Sequence, residues 1–342
     1  MPKELDEYGG VKNINQAIMT GETITRPIGG YFELELPLKQ KRLYPDALGF
    51  QSARAAFYAL LLAGEPSRIW MPKYICDSML SPVISSGIEI VFYDITQDLG
   101  AFSQVDIEDS DWFFYVNYFG VCSVQENEIL QRLDASQLIL DHSQAFFSPP
   151  RNCLATIYSP RKFFGVPDGG LLFTSLAISE PEEIDIGSVK RCAHLLDRLN
   201  GSVEAGYSGF RRAEEALSDF HPKRMSQLTT QLLSHIDYDT CKERRNANFL
   251  FLHEHLQHLN RLAFSHIDGP MCYPLVIVDP TARERLLANY IFVPKYWKEV
   301  ESRVASESFE RTLLDNCLPI PCDQRYQPED MLRIVDIVKG SN

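Results

Sequence analysis

From residue 48 to residue 175 the chain alternates between stretches with helix-like spacing of apolar residues and short runs that are apolar throughout. "SARAAFYALLLAG" (52–64) has helical composition behind a serine, and "RIWMP" (68–72) is a short strand closed by proline. "CDSMLSPVISSG" (76–87) predicts a helix interrupted by Pro82, and "IEIVFYDI" (88–95) the next strand. The same alternation continues through "WFFYVNYFG" (112–120), the polar helix "VQENEILQRLDA" (124–135), "SQLILDHS" (136–143), "ATIYS" (155–159) and "GGLLFTS" (169–175). Apolar strands alternating with helices predict an α/β fold, a mainly parallel, doubly wound sheet flanked by helices.

Beyond that region the pattern changes. "RMSQLTTQLLSHIDYDTCKERRNANFLFLHEHLQ" (224–257) has no internal Gly or Pro and reads as one long helical connection. "YPLVIV" (273–278), "PTARERLLANY" (280–290), "IFVPKYW" (291–297) and "PEDMLRIVDIVKG" (328–340) make a smaller C-terminal α+β domain. A chain of 342 residues exceeds what one core comfortably serves, so the expected division is a large domain over 1–240, including an N-terminal segment 1–47, and a small one over 241–342. Within that segment "PIGGYFELELP" (27–37) reads either as an edge strand or as a piece that covers substrate.

Charge and cysteine usage narrow the class. A net charge of −13 argues against a nucleic-acid partner, which needs a basic face. The opening "MPKELDEYGG" lacks the apolar core of a signal peptide, and the longest apolar run, "AAFYALLLAG" (55–64), is too short to span a membrane. The eight cysteines form no CxxC pairs, which argues against zinc and against a disulfide framework. The expectation is a reduced, cytoplasmic protein without a metal, a membrane or nucleic acid among its partners.

Two residues then stand out. "LILDHSQAFF" (138–147) delivers Asp141 at the carboxyl end of an apolar strand, where open α/β sheets bind ligands; the bland alternative is a capping aspartate. The next strand-like piece leads to "YSPRKFFGVPDGG" (158–170), whose Lys162 is flanked by Arg161, Phe163 and Phe164. In such apolar company Lys162 is expected to be half buried, with its pKa lowered and water limited by the two phenylalanines. Pyridoxal phosphate requires this pair: a lysine amine for a Schiff base, and a carboxylate to keep the pyridine nitrogen protonated. Its phosphate needs a cradle. "GFQSARAAFYAL" (49–60) offers Ser52 as an N-cap, the amides of Ala53 and Arg54 and the Arg54 guanidinium, with Ser159 as a further ligand.

The succession of these segments, with "IWMPKYICDSMLSPVISSGIEIVFYDI", "YVNYFG", "KRMSQLTTQLLSHIDYDTCKERRNAN" and "LPIPCDQRYQPEDMLRIVDIV", resembles the DegT/DnrJ/EryC1/StrS sugar aminotransferases over residues 48–340. The resemblance implies a fold type I pyridoxal-phosphate enzyme, a homodimer with active sites at the subunit interface. Lys162 is then the Schiff-base lysine, Asp141 the pyridine partner and Gln144 the glutamine near the cofactor's phenolic oxygen. Ser52, Ala53, Arg54 and Ser159 fall where the family binds phosphate. Arg224 and Met225 match a segment reaching the neighbouring subunit's site, and Trp297 falls near the substrate entrance. The implied reaction carries an amino group, from glutamate, to a nucleotide-linked keto sugar in surface polysaccharide or related glycan synthesis. Dehydratase relatives carry histidine where this chain has Lys162, which favours transamination.

The departures are specific. Ser52-Ala53-Arg54 replaces the usual Gly-Thr, Cys76 stands where an aromatic residue stacks on the cofactor with Tyr74 as the substitute, and Pro222 replaces an asparagine. They leave open a pyridoxal-phosphate enzyme acting on a non-sugar substrate, and a non-catalytic cofactor-binding regulator. Asn117 and Tyr118, at a strand end, read equally as substrate-pocket residues or as an ordinary turn. His142 reads as a structural histidine, and "KERRNAN" (242–248) as a solvated helix face.

Overall fold

A computed structural model describes residues 31–101, 106–201 and 203–340. Residues 31–37 carry no helix or strand and are largely exposed. Residues 1–30 of the N-terminal segment 1–47, including the start of "PIGGYFELELP", lie outside the described residues.

From Leu38 onward the chain builds a seven-stranded sheet. Its strands are β1 (Leu48–Phe50), β2 (Arg68–Pro72), β3 (Glu89–Tyr93), β4 (Asp111–Val116), β5 (Leu138–His142), β6 (Ala155–Tyr158) and β7 (Gly170–Thr174), in the order β1-β7-β6-β5-β4-β2-β3. Strands β2 to β6 are mutually parallel, and β7 and β1 are added antiparallel at one edge. Every residue of β4, β5 and β6 is buried, which is why these runs are apolar without alternation. Asp111 enters this core only because Arg68 holds both its oxygens, at 3.0 and 2.7 Å, and Trp70 Nε1 donates to it at 3.1 Å.

The helices follow the expected order with informative differences. α1 (Ala53–Gly64) starts at Ser52, whose Oγ accepts the Ala55 amide at 3.1 Å, and stops at Glu65 in a left-handed conformation. α2 (Asp77–Ser85) continues through Pro82 instead of breaking there. α3 (Ser123–Arg132) lies between β4 and β5 in the chain. The stretch 224–257 is two helices, α7 (Gln227–Leu233) and α8 (Tyr238–Leu256), because Asp237 caps the second by accepting the Thr240 amide at 3.0 Å. Before them come three helices that the apolar pattern did not predict: α4 (Ser188–Arg191), α5 (Ala193–Asn200) and α6 (Val203–Ala216).

The C-terminal part has its own core. β8 (Tyr273–Val276) pairs antiparallel with β9 (Cys317–Ile320), and the pair packs with α8, α9 (Ala282–Ala288) and α11 (Pro328–Lys339) around Leu252, Leu256, Tyr273, Leu286 and Met331. α10 (Phe309–Asn316) leads into β9 and packs toward the main core through Leu313. Arg245 corrects the reading of "KERRNAN" as a solvated face. It is 1% exposed, donates to the carbonyls of Pro270, Met271 and Phe163, and lies 4.5 Å over the Phe163 ring. Asn248 is also buried, donating to the Cys322, Asp323 and Tyr326 carbonyls.

Candidate active site

The topology brings most of the sequence-derived candidates to one edge of the sheet. Parallel β2, β4, β5 and β6 all end there; Tyr74 and Cys76 follow β2, Asn117 and Tyr118 follow β4, Asp141 lies at the end of β5 with Gln144 after it, and Ser159 and Lys162 follow β6. Because β7 runs antiparallel to β6, it begins at this same edge. A bridge between Ser52 and Gly169 then sets the amino end of α1 beside the Lys162 loop. The crevice outside the carboxyl ends of strands is where open α/β sheets place ligands.

Asp141 is the last but one residue of β5, in register with Val116 and Ile157. It is 4% exposed, and its Oδ1 accepts the Ser143 amide at 2.8 Å. The next side chain points the other way, as strand alternation requires. His142 is fully buried and its Nε2 meets Glu126 of α3 at 2.6 Å, the structural role expected of it. Gln144 is buried too, and its Oε1 accepts the Phe119 amide at 2.7 Å. That bond holds the turn Tyr118–Gly120, in which Phe119 has a φ of +58°, a costly conformation for a bulky residue.

Lys162 ends a 3-10 turn, Pro160–Lys162, directly after β6. Its side chain is exposed and makes no hydrogen bond or ion pair among the described residues, which corrects the expectation of a half-buried lysine. The reason lies in its neighbours. Phe163 and Phe164 turn away from it into a separate aromatic cluster, with Phe164 5.0 Å from Phe146 and 5.5 Å from Tyr238. They therefore anchor the loop instead of drying the amine. Arg245 and Gln324 complete the anchor, both donating to the Phe163 carbonyl, at 3.2 and 2.8 Å.

Three further candidates are withdrawn from the crevice by their own bonds. Asn117 Nδ2 donates to Glu126 at 2.7 Å, and its Oδ1 accepts the Cys122 amide at 3.0 Å. The Tyr118 hydroxyl donates to the Tyr74 carbonyl at 2.8 Å. Tyr74 in turn donates to the Tyr296 carbonyl at 2.9 Å, between the rings of Tyr118 and Trp297, and burial pushes its hydroxyl pKa well up. Asn117 and Tyr118 are thus turn residues rather than pocket lining, and Tyr74 is a core residue rather than a free stacking surface. Trp297 remains half-buried, its ring 5.1 Å from that of Tyr74. Cys76 stands at the N-cap of α2 without a side-chain cap bond, its Sγ 3.0 Å from Ser78 Oγ.

The region around the α1 terminus suits a phosphate monoester. A Cβ on Gly170 would lie 2.2 Å from the Ser52 carbonyl carbon and 2.4 Å from the Ala53 nitrogen, so only glycine lets β7 start against this terminus. Arg54, Arg161 and Arg224 each keep a buried Nε without a hydrogen-bond partner. Burial chiefly lowers the Arg54 pKa, as does the nearby charge of Arg161. Ser159 is half-buried, and only its carbonyl is engaged, by the Lys162 amide at 3.2 Å. Arg224 bridges to Phe50 and Ile184, and Met225 is buried beneath Gly49 and Gly169 within the same chain. The residues present thus fit pyridoxal phosphate: a carboxylate, an amine and an electropositive terminus open at one edge.

Sequence reasoning missed Arg161 and Arg245 although both stand inside quoted motifs. Their partners, Glu214 and the carbonyl of Phe163, lie 53 and 82 residues away, and no local pattern announces them.

No protein-family model and no curated protein matches the sequence. Solved structures do resemble it. The sugar aminotransferase CalS13 from Micromonospora echinospora superposes with a TM-score of 0.58 at 16% identity, covering 86% of this chain and 87% of that one. A DegT DnrJ EryC1 StrS aminotransferase from Brucella abortus gives 0.57 at 15% identity over 86% and 85%. The E. coli GDP-4-keto-6-deoxy-D-mannose-3-dehydratase, solved with bound hydrated PLP, gives 0.59 at 13% identity over 85% and 87%. From its seven-stranded sheet to its small C-terminal α+β unit, the chain has the fold type I architecture of these proteins.

Proposed function

We propose that the protein is a pyridoxal-phosphate-dependent aminotransferase. The observation that carries this reading is the delivery of Asp141 and Lys162 from the adjacent parallel strands β5 and β6 to the edge where α1 begins. When bound, the cofactor supplies an aldehyde for an amine and an electron sink for the carbon next to it. Lys162 would hold the cofactor through its amine and would move protons as general base and acid. Asp141 holds the proton on the ring nitrogen, from a site whose burial keeps water from competing. Gln144 keeps the Phe119 turn in place.

The donor in this reading is glutamate, and the acceptor is a keto sugar, nucleotide-linked as in the resembling family, in surface polysaccharide or related glycan synthesis. The protein works in the cytoplasm as a homodimer with shared active sites, residues 1–240 binding cofactor and 241–342 forming the small domain. An exposed Lys162 in the single chain supports the dimer, since a second copy then supplies the missing cover. A non-sugar acceptor is the second reading, favoured by the internal commitment of Asn117 and Tyr118.

The purified chain mixed with pyridoxal phosphate is expected to gain a visible absorption band, and borohydride to fix a cofactor-sized mass on Lys162. Glutamate should then convert the bound cofactor to pyridoxamine phosphate, and a panel of nucleotide keto sugars and plain 2-oxo acids should regenerate it. A colourless protein with no adduct on Lys162 would sink the proposal. Regeneration by the 2-oxo acids alone would select the non-sugar reading.

A further inference from the structure

Asp141 is placed more by its strand than by its own bonds. Its Oδ1 accepts the Ser143 amide at 2.8 Å, and no hydrogen bond reaches its Oδ2 among the described residues. Where that free oxygen stands therefore depends on the carboxyl end of β5. On one side this end pairs with β6, Asp141 with Ile157 and His142 with Tyr158. On the other side the ladder with β4 stops at Val116 and Asp141, and beyond it the Asn117 amide donates to the Asp141 carbonyl at 3.1 Å.

One carboxylate oxygen secures that second side. Glu126 Oε1 accepts Asn117 Nδ2 at 2.7 Å and lies 2.6 Å from His142 Nε2, so the residue after β4 and the last residue of β5 converge on a single atom of α3. The peptide between Asp141 and His142 is thereby enclosed. Asn117 grips its carbonyl through the backbone, His142 leads to Glu126, and Glu126 returns to Asn117. The buried residues of α3 are Glu126 and Ile129, and Glu126 is 1% exposed. Packing alone is better served by an apolar side chain, because a carboxylate taken out of water is stabilising only when it is fully paired. Burial opposes the charge of Glu126, but His142, Asn117 and Arg151, the last 3.8 Å away, outweigh it and keep the carboxylate ionised. His142 Nε2 then carries a proton, while its Nδ1 is buried without a partner, so Glu126 is the one polar tie of that ring among the described residues.

We infer that Glu126 is a positioning residue for Asp141: through His142 and Asn117 it fixes the end of β5, so that Asp141 offers its free oxygen to the cofactor's ring nitrogen. This rests on the reading of the site as a pyridoxal-phosphate site. Glu126 itself touches no reacting atom. A hydrogen bond between a carboxylate and a protonated nitrogen depends steeply on direction, so a loosened strand end weakens that contact and spares the others.

The test compares pyridoxal phosphate with its carbocyclic analogue, in which a C–H replaces the ring nitrogen while the aldehyde and the phosphate stay. Dissociation constants of the full chain are read from quenching of intrinsic fluorescence, and attachment to Lys162 from mass after borohydride. Wild type is expected to prefer pyridoxal phosphate by about ten- to hundredfold, the size of one charge-assisted hydrogen bond. Glu126→Leu, which keeps most of the volume and removes the acceptor, should lower that preference about fivefold or more. Glu126→Gln, which keeps an oxygen but no charge, should lower it about two- to fivefold, and Asp141→Asn should bring it close to parity. Binding of the analogue should stay within about twofold of wild type in each variant, which is the control for a folded site. Where Glu126→Leu does not fold, Glu126→Gln decides. An unchanged preference, or an equal loss of affinity for both ligands, would overturn the inference and leave Glu126 a residue of the fold alone. No attachment of either ligand to wild-type Lys162 would overturn the cofactor reading instead, and equal affinity of wild type for the two ligands would overturn the role of Asp141; the inference falls with either.

Discussion

A single methyl group at Gly170 tests how tightly the start of β7 is packed against the amino end of α1. The alanine Cβ would stand 2.2 Å from the Ser52 carbonyl carbon, 2.3 Å from its oxygen and 2.4 Å from the Ala53 nitrogen. These are backbone atoms, so no rotamer change relieves the overlap. They are also fixed: the Ser52 oxygen accepts the Ala56 amide at 3.0 Å, its Oγ accepts the Ala55 amide at 3.1 Å, and the Gly169 amide holds the Gln51 carbonyl at 2.8 Å. Overpacking of this kind costs about 1–3 kcal/mol, and losing the Gly169–Gln51 bond adds about 1 kcal/mol. Against this, replacing glycine where its backbone is unstrained stabilises by about 0.4–1 kcal/mol through the unfolded chain. The net expectation for Gly170→Ala is a loss of about 1–3 kcal/mol. Gly165→Ala is the matched control, because its nearest neighbour, Leu195 Cδ2, lies at an ordinary 3.9 Å. In urea unfolding followed by circular dichroism, Gly170→Ala should unfold several tenths molar earlier than wild type and Gly165→Ala at or slightly above it, on the order set by ordinary m values. Equal midpoints for the two variants would refute the close packing of β7 on α1.

The remaining predictions address a buried carboxylate, a buried arginine and the exposed lysine. Burial alone would raise the Glu126 pKa, but His142, Asn117 and Arg151 outweigh it and hold it below its ordinary 4.5. Its folded value is depressed, so its stabilisation is full above pH 4.5 and lost as pH falls through the folded value. Thermal midpoints measured from about pH 7 to about pH 3 should therefore fall more steeply for wild type than for Glu126→Gln; parallel curves would contradict the assignment. Arg245→Lys should lose about 2–4 kcal/mol, because an ammonium cannot replace a planar fork serving three carbonyls; a midpoint within error of wild type would exclude that anchor. Lys162→Ala should change stability by less than about 0.5 kcal/mol, since the side chain is exposed and unpaired, while abolishing covalent trapping of pyridoxal phosphate. A marked loss of stability would mean that Lys162 serves the fold.

The sheet was legible because burial on both faces writes itself into composition. β4, β5 and β6 are mainly apolar runs without alternation, and each overlaps the stretch expected to form a strand. β1 was not legible, for three residues at the sheet's edge, paired only with β7, leave no periodicity to read. Helices α4 to α6 failed for a different reason. α6 carries Gly206 and Gly209, which weaken its helical signal, yet a Cβ at either would press on His194 of α5. The glycines that hide the helix in sequence are the ones that let it pack. The division of 224–257 shows the converse error, since the absence of Gly and Pro concealed a cap at Asp237.

The shared edge of Asp141 and Lys162 was legible in the sequence while the burial of Lys162 was misread, and one physical cause accounts for both. Topology follows from local patterns: an aspartate and a lysine at the ends of successive parallel strands must arrive at one edge, whatever surrounds them. Burial follows from which way each side chain turns, and that is decided by partners distant in sequence. Phe163 and Phe164 leave Lys162 because Phe146, Tyr238 and Arg245 receive them elsewhere. Asn117 leaves the crevice because Glu126, on the helix behind the sheet, and the Cys122 amide take both ends of its carboxamide. Arg161 turns to Glu214, which stands on a helix with no sequence signature. What surrounds Asp141 and Lys162 at this edge is therefore set by long-range pairings, among them Arg161 with Glu214 and Arg245 with the Phe163 carbonyl.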